Sequence, residues 1–577
     1  MKTCRVPWWS KHNMFRKKHV LSIGFILVLG ALAVFSFKQT GPAQARLESS
    51  RDRTIHGRVI SKYGPVENAR VRVAGTETYA LTDKQGRFEL PTGQFTGEKL
   101  WVTAGKEGWF NNALAANPSG PMKDIFLYPI YLNDHPQYRF ISPKTCARCH
   151  VKLTRYWDQS KMAHTTSNPK VLDMYYGTDA LKRKNVAPGY KLDNPDSGGN
   201  CVTCHAPSVA ASSPQIKDLK TALWSARTEW DGISCDFCHK IRKVLADKTR
   251  PSGRAPILER QTPVKGSSIL VFGPYDDVVV PPMAASYSPV MDQGLFCSVC
   301  HSHSKKLANS KTWDPGKVYT ASEWKGFGLQ DNTYLPIQST YQEWKQWQDQ
   351  LPPDDANKGK KCQDCHMSWR KKMLPYDNYV VDGQAREMWG TYRSPKNIRP
   401  HHFDGGTEIQ LKTALSMEIE GKITGNRLNI NVFITNTNGG HWVPTGETMR
   451  SVMLLLKAVD SNQKPLKMIK GSVLPKWAGT GKIEKGNYAG RPGAMFARVL
   501  EDDNGNLNVP FWRATTIAAD TRVRPKTTVT LEYVFALDDP EDEPTVEARL
   551  IYRPVIKTLA KKKNWVAEDI LITSSMW

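Results

Sequence analysis

The chain has 577 residues, enough for several domains and several cores, and its 40% hydrophobic and 23% charged content excludes a disordered chain. The formal charge is +25; seven Lys and Arg with no acid in residues 1–45 leave +18 for the rest, so acidic partner proteins or anionic membrane surfaces are natural docking targets. The short basic runs KRK (182–184) and KKK (561–563) read as solvated faces, and no stretch has the pattern of a nucleic-acid module, so no nucleic-acid partner is expected.

The first element is an uncharged apolar run, VLSIGFILVLGALAVFSF at 20–37, preceded by six of those seven cations. Its positive end should stay in the cytoplasm and all that follows should be exported, to the periplasm or the extracellular face. AQA at 43–45 has the small-residue pattern of a signal-peptidase site, yet eighteen apolar residues nearly span a bilayer. Residues 1–45 are therefore a signal peptide cleaved after Ala45, giving a soluble protein, or a retained membrane anchor, the reading preferred here.

Residues 52–130 predict a β domain: TIHGRVI, ARVRVAG, TYALTD, GRFELP and KLWVTA are short alternating stretches between Gly, Pro and Asp turns. ALTDKQGRFELP resembles the hairpin of carboxypeptidase-regulatory-like modules, which are transthyretin-like sandwiches. His56 in the first strand reads as a partly buried strand residue. From 136 to 405 strand alternation fades into short helical pieces such as TYQEWKQWQ within irregular chain, mainly α and irregular. So much irregular chain argues against a compact domain unless large cofactors supply its core. From 406 to 577 strands return in TALSMEIEG, RLNINVFITN, SVMLLLKAV, TTVTLEYVFAL and TVEARLIYR, and an immunoglobulin-like β-sandwich is the simplest architecture.

Ten of the eleven cysteines fall into five Cys-x-x-Cys-His units within the central region: Cys146, Cys149 and His150; Cys201, Cys204 and His205; Cys235, Cys238 and His239; Cys297, Cys300 and His301; Cys362, Cys365 and His366. The eleventh, Cys4, precedes the apolar run, so no exported cysteine is left for a disulfide. Two thiols on a helical turn can add to the two vinyl groups of a porphyrin, and the adjacent imidazole then lies beneath the iron. Zinc would need two such pairs per site, leaving one pair over and the five histidines unexplained. Five covalently bound haem c groups follow, with the motif histidines as proximal ligands. First cysteines lie 55, 34, 62 and 65 residues apart, and the short second interval suggests that the second and third haems are neighbours.

RYWDQSKMAHTTSNP, GISCDFCHKI, FGPYDDVVVPPMAASYSP, GKKCQDCHM and HHFDGG resemble multihaem c-type cytochromes related to the tetrahaem cytochrome of nitrifying bacteria, and NTNGGHWVPTGE, PFWRATTIAADTRV and ARLIYRPV resemble the β domain that often accompanies them. That resemblance implies an exported electron carrier, often one part of a larger redox system, and makes distal ligands of His441 and of one of His401 and His402, with His402 favoured. Where relatives carry ligand histidines, this chain has Met162, rivalled by His164, and Met283; methionine ligation would raise the haem potential. His303 completes five distal ligands, and His135 is a reserve. His303 cannot pass around its own porphyrin from His301, so it would bind a neighbouring haem.

Six ligands on every iron favour an electron-transfer protein over a catalyst, with redox partner proteins, acidic or membrane-bound, and a place in an oligomer or a larger redox complex. The alternative is a multihaem oxidoreductase acting on a small nitrogen or sulfur species at one five-coordinate haem. No catalytic constellation stands out.

Overall fold

The computed structural model describes residues 53–93, 100–117, 121–225, 232–247, 250–261, 269–279, 283–306, 334–368 and 397–577. The apolar run at 20–37 and the expected cleavage site lie outside these residues. Among the described residues no helix is long and apolar enough to cross a membrane. Residues 52–577 form one compact unit.

The N-terminal strands make two four-stranded sheets. In one, Arg53–Ser61 lies between Gly64–Pro65 and Arg87–Gly93 and also pairs in parallel with Ile125–Phe126; in the other, Ala80–Leu81, Arg70–Val73, Leu100–Gly105 and Asn112–Ala116 follow in order. Alternation along each strand turns Ile55, Val59, Val71, Val102 and Ile125 into one shared core, all fully buried. ALTDKQGRFELP is a corner between the two sheets rather than a hairpin, since Ala80–Leu81 pairs with Arg70–Val73 and Arg87–Gly93 with Arg53–Ser61. Asp83 Oδ1 accepts the N–H groups of Gln85 and Arg87 to form the turn, and Gly86, at φ 73°, approaches so closely that a Cβ would lie 2.4 Å from the Val59 carbonyl oxygen. His56 is on the exposed face, 3.6 Å from Glu89.

Short helices dominate the central region, the longest described being Thr340–Gln350 at eleven residues. Three two-stranded ribbons, unseen in the sequence reading, join them: Ile241–Ala246 with Arg254–Leu258, Ile269–Gly273 with Met283–Tyr287, and His303–Lys306 with Tyr334–Gln338. Each is too short for alternation to show against the flanking irregular chain. Its apolar clusters are small, built around Phe140, Phe237 and Ile241 and around Tyr175, Val202 and Leu219.

The C-terminal region again has two four-stranded antiparallel sheets: Leu415–Thr424, Arg427–Asn436, Thr528–Ala536 and Met468–Lys470; and Gly493–Phe496, Ser451–Val459, Thr545–Arg553 and Ile570–Met576. Between them Leu428, Val432, Ile434, Val452, Leu454, Phe535 and Leu550 are fully buried. Burying each such side chain stabilises by roughly 1.5–3 kcal/mol.

Polar contacts bind these regions together. Asp276 of the central region takes Arg72 Nη2 at 2.7 Å and Arg70 Nε at 2.5 Å from the N-terminal sheets. From the other side, Lys563 is fully buried and donates to the carbonyls of Asp173, Thr178 and Val186, while Lys561 and Lys562 are exposed. The KKK run is thus only partly a solvated face, because burial of Lys563 is compensated by three acceptors.

Candidate functional site

Each motif begins on a turn of helix. Ser142 caps Pro143–Cys146 by accepting from Lys144 N, and Ser234 caps Cys235–Cys238 by accepting from Phe237 N. In the first four motifs the histidine N–H donates to the carbonyl of the first cysteine, at 2.8, 2.9, 3.0 and 2.9 Å. The fifth lies wholly within the helix Cys362–His366. Such a turn carries both sulfurs and the imidazole to one side of the backbone.

All ten motif cysteines and all five motif histidines line one continuous cavity of about 2130 Å³. A site for a single small ligand spans roughly 300–1,000 Å³. Among the described residues, no three His, Cys, Asp or Glu gather into a compact metal cluster. The thiols are spread along the cavity wall instead.

The imidazoles are held from behind. Nδ1 of His205 meets the Thr165 carbonyl at 3.0 Å and Nδ1 of His239 meets that of Phe272 at 2.6 Å; Nδ1 of His366 bonds the Asp404 carbonyl, and Nδ1 of His301 lies 3.2 Å from the Gln338 amide. An Nδ1–H donated to a carbonyl leaves the Nε2 lone pair for a metal. Burial lowers the pKa of His205 and His239 and pushes His301, His303 and His366 down to about 4, so these rings are neutral, as ligands must be. They are half-buried only because one edge faces the cavity.

Two motif imidazoles face a second imidazole across the cavity. His239 and His401 have ring centres 6.4 Å apart with planes 22° from parallel; His366 and His441 are 6.1 Å apart at 11°. Two metal–imidazole bonds of roughly 2 Å each, plus the distance from each nitrogen to its ring centre, account for both gaps. The residues therefore fit a haem iron between each pair. Nδ1 of His401 bonds the Arg399 carbonyl at 2.9 Å and that of His441 the Trp442 carbonyl at 3.0 Å, which again directs Nε2 inward.

It is His401, rather than the favoured His402, that faces a motif histidine. His402 is buried with Nε2 2.7 Å from the Ser368 carbonyl and Nδ1 3.2 Å from Asp404 Oδ2, so both nitrogens are engaged away from the cavity. His303 lines the cavity, as His205 does, with its ring 4.7 Å from that of Phe511. Met162 and Met283 also line it. His164 is exposed with Nε2 on the Asp158 carbonyl at 2.7 Å, and His135 is exposed outside the cavity.

Neighbouring sulfurs set the order of the motifs. The thiols of Cys146 and Cys235, of Cys204 and Cys300, and of Cys297 and Cys362 are near neighbours along the cavity wall, and Cys238 lies near both Cys297 and Cys300. The line runs from the first motif to the third and on to the fourth, with the second and fifth branching from the fourth. Between the second and third motifs the helix Pro207–Ser212 sets the Ser208 hydroxyl 3.2 Å from that of Ser234.

Residues missed in the sequence support the site. Glu343, on the helix Thr340–Gln350, is fully enclosed and accepts from Trp442 N at 3.2 Å, Thr445 Oγ1 at 2.8 Å and Arg522 Nη1 at 2.7 Å, fixing the loop that bears His441. Burial opposes its ionisation, but Arg522 and Arg498 outweigh burial and hold its carboxyl below the usual range. Only the fold brings these groups together, so no sequence spacing marks them. Lys161 and Arg450 add cations to the cavity wall.

Residues 145–240 match the family "Cytochrome c554 and c-prime". Among solved structures, a penta-heme cytochrome c552 from Thermochromatium tepidum is similar at 19% identity and a TM-score of 0.49, covering 76% of this chain and 98% of that one. A chain of a type II cohesin–X-dockerin complex from Acetivibrio cellulolyticus is similar at 18% identity and a TM-score of 0.12, covering 13% of this chain and 57% of that one. No curated protein matches. The matched segment contains the first three motifs and is similar to multihaem c-type cytochromes.

Proposed function

We propose that the chain is an exported pentahaem electron carrier that passes electrons between redox partners, with one haem c on each motif. The observation that carries this reading is the one continuous cavity lined by the cysteines and histidines of all five motifs. Haem, when bound, supplies a one-electron iron couple whose potential follows its axial ligands. The chain's own part is to hold those ligands: His239 with His401, His366 with His441, His205 with His303, and Met162 and Met283 at the remaining positions. His401 replaces His402 in this assignment because of its stacking on His239. Residues 1–45 direct export and anchor the protein to the membrane in this reading. The flanking β regions are a carboxypeptidase-regulatory-like module and an immunoglobulin-like sandwich that brace the carrier against its partners.

A second reading, an oxidoreductase of a small nitrogen or sulfur anion at one five-coordinate haem, draws on Lys161 and Arg450 in the cavity wall. Electron paramagnetic resonance of the oxidised holoprotein separates the two. A carrier shows low-spin ferric haem alone, five per chain by haemochrome assay, whereas a stoichiometric high-spin signal favours the enzyme.

A further inference from the structure

The five motifs differ in how they meet the surface. Nine motif cysteines are half-buried; Cys149 alone among the ten is exposed. The first motif's other thiol, Cys146, faces inward and neighbours Cys235 of the third motif on the cavity wall. Around the first motif, residues 139–157 hold five Lys and Arg and no Asp or Glu. The helix Val151–Asp158 and the turn before it set Lys144, Arg148 and Arg155 on the exterior, with Val151 52% exposed beside Cys149. At the fifth motif acids lie among the cations: Asp292 pairs with Lys361 and Arg399, and Asp364 with Arg399.

We infer that the face formed by Lys144, Arg148, Val151 and Arg155 around the exposed Cys149 is the docking surface for an acidic electron-transfer protein. This rests on the carrier reading above. A basic rim steers an acidic partner during encounter, and a small apolar centre lets the surfaces close without burying a charge. A lipid surface would use the same cations but has no electron to exchange with the group behind Cys149, so a protein is the better occupant. In the exchange one electron moves and no bond forms or breaks: the partner's reduced metal centre is oxidised by one electron and one haem iron goes from ferric to ferrous.

The test is stopped-flow reduction of the oxidised holoprotein by reduced plant-type ferredoxin, an acidic [2Fe–2S] protein of low potential. At low ionic strength the R148E/R155E variant should react about tenfold more slowly, while K482E, at an exposed lysine of the C-terminal region, reacts as the unmodified protein does. Equal slowing in both variants, or none in R148E/R155E, overturns the inference. So does an unchanged ferredoxin rate accompanied by lost sedimentation with phosphatidylglycerol vesicles, which would make the face a membrane contact. If charge reversal prevents haem loading, R148Q/R155Q carries the same comparison. A holoprotein whose haems dithionite leaves oxidised sinks the carrier reading itself, whatever the rates.

Discussion

Between Leu415 and Met576 two four-stranded sheets close on side chains of their own, with Leu428, Val432, Val452 and Leu454 fully buried between them. In the central region the same chain surrounds a cavity of about 2130 Å³, and its apolar clusters are small and separate. The first arrangement draws its stability from area removed from water. The second has its motif cysteines and histidines arranged around that cavity, so in the carrier reading haem supplies the core that side chains supply elsewhere. The contrast explains why one region reads as regular strands and the other as irregular chain.

The largest effect should come from the motif at the branch point. C297A/C300A removes the fourth motif's thiols from the cavity wall beside Cys204 and Cys362, so loss of more than one haem and broad loss of amide protection in the central region are expected. Hydrogen exchange should leave Ser451–Val459 and Thr545–Arg553 protected; if those strands exchange equally fast, the two regions are not independent in the way proposed. Next is the seam between them. E343Q strips the buried charge from Arg522 and should destabilise by about 3 kcal/mol, with the haem at His366 turning high-spin as the His441 loop loosens. Because the Glu343 carboxyl sits below its usual range, its stabilisation is full at neutral pH and is lost as pH falls through the folded value. Acid unfolding followed by circular dichroism should therefore show a shallower acid limb in E343Q. The smallest effect separates adjacent residues: H401A should convert one haem to high spin, whereas H402A should leave the spin count unchanged.

The motifs and the β character of both flanks were legible, because Cys-x-x-Cys-His and period-two alternation are local patterns. The choice between His401 and His402 was not, since it depends on Ser368 and Asp404 claiming the nitrogens of His402. The order of the motifs was hidden for the same reason. Sequence spacing suggested the second beside the third; the fold also brings Cys204 near Cys300, nearly a hundred residues away. ALTDKQGRFELP misled in a different way: its turn chemistry is that of a hairpin, but each arm finds a better partner in a different sheet.

Lys563 bears on how the molecule is made. Its ammonium clasps the carbonyls of Asp173, Thr178 and Val186, on chain synthesised 390, 385 and 377 residues earlier. Domains form from the N-terminus as the chain emerges, so the segment between the first two motifs waits for almost the whole polypeptide before this clasp closes. Lys563 is thus a late closure on the segment between the first two motifs.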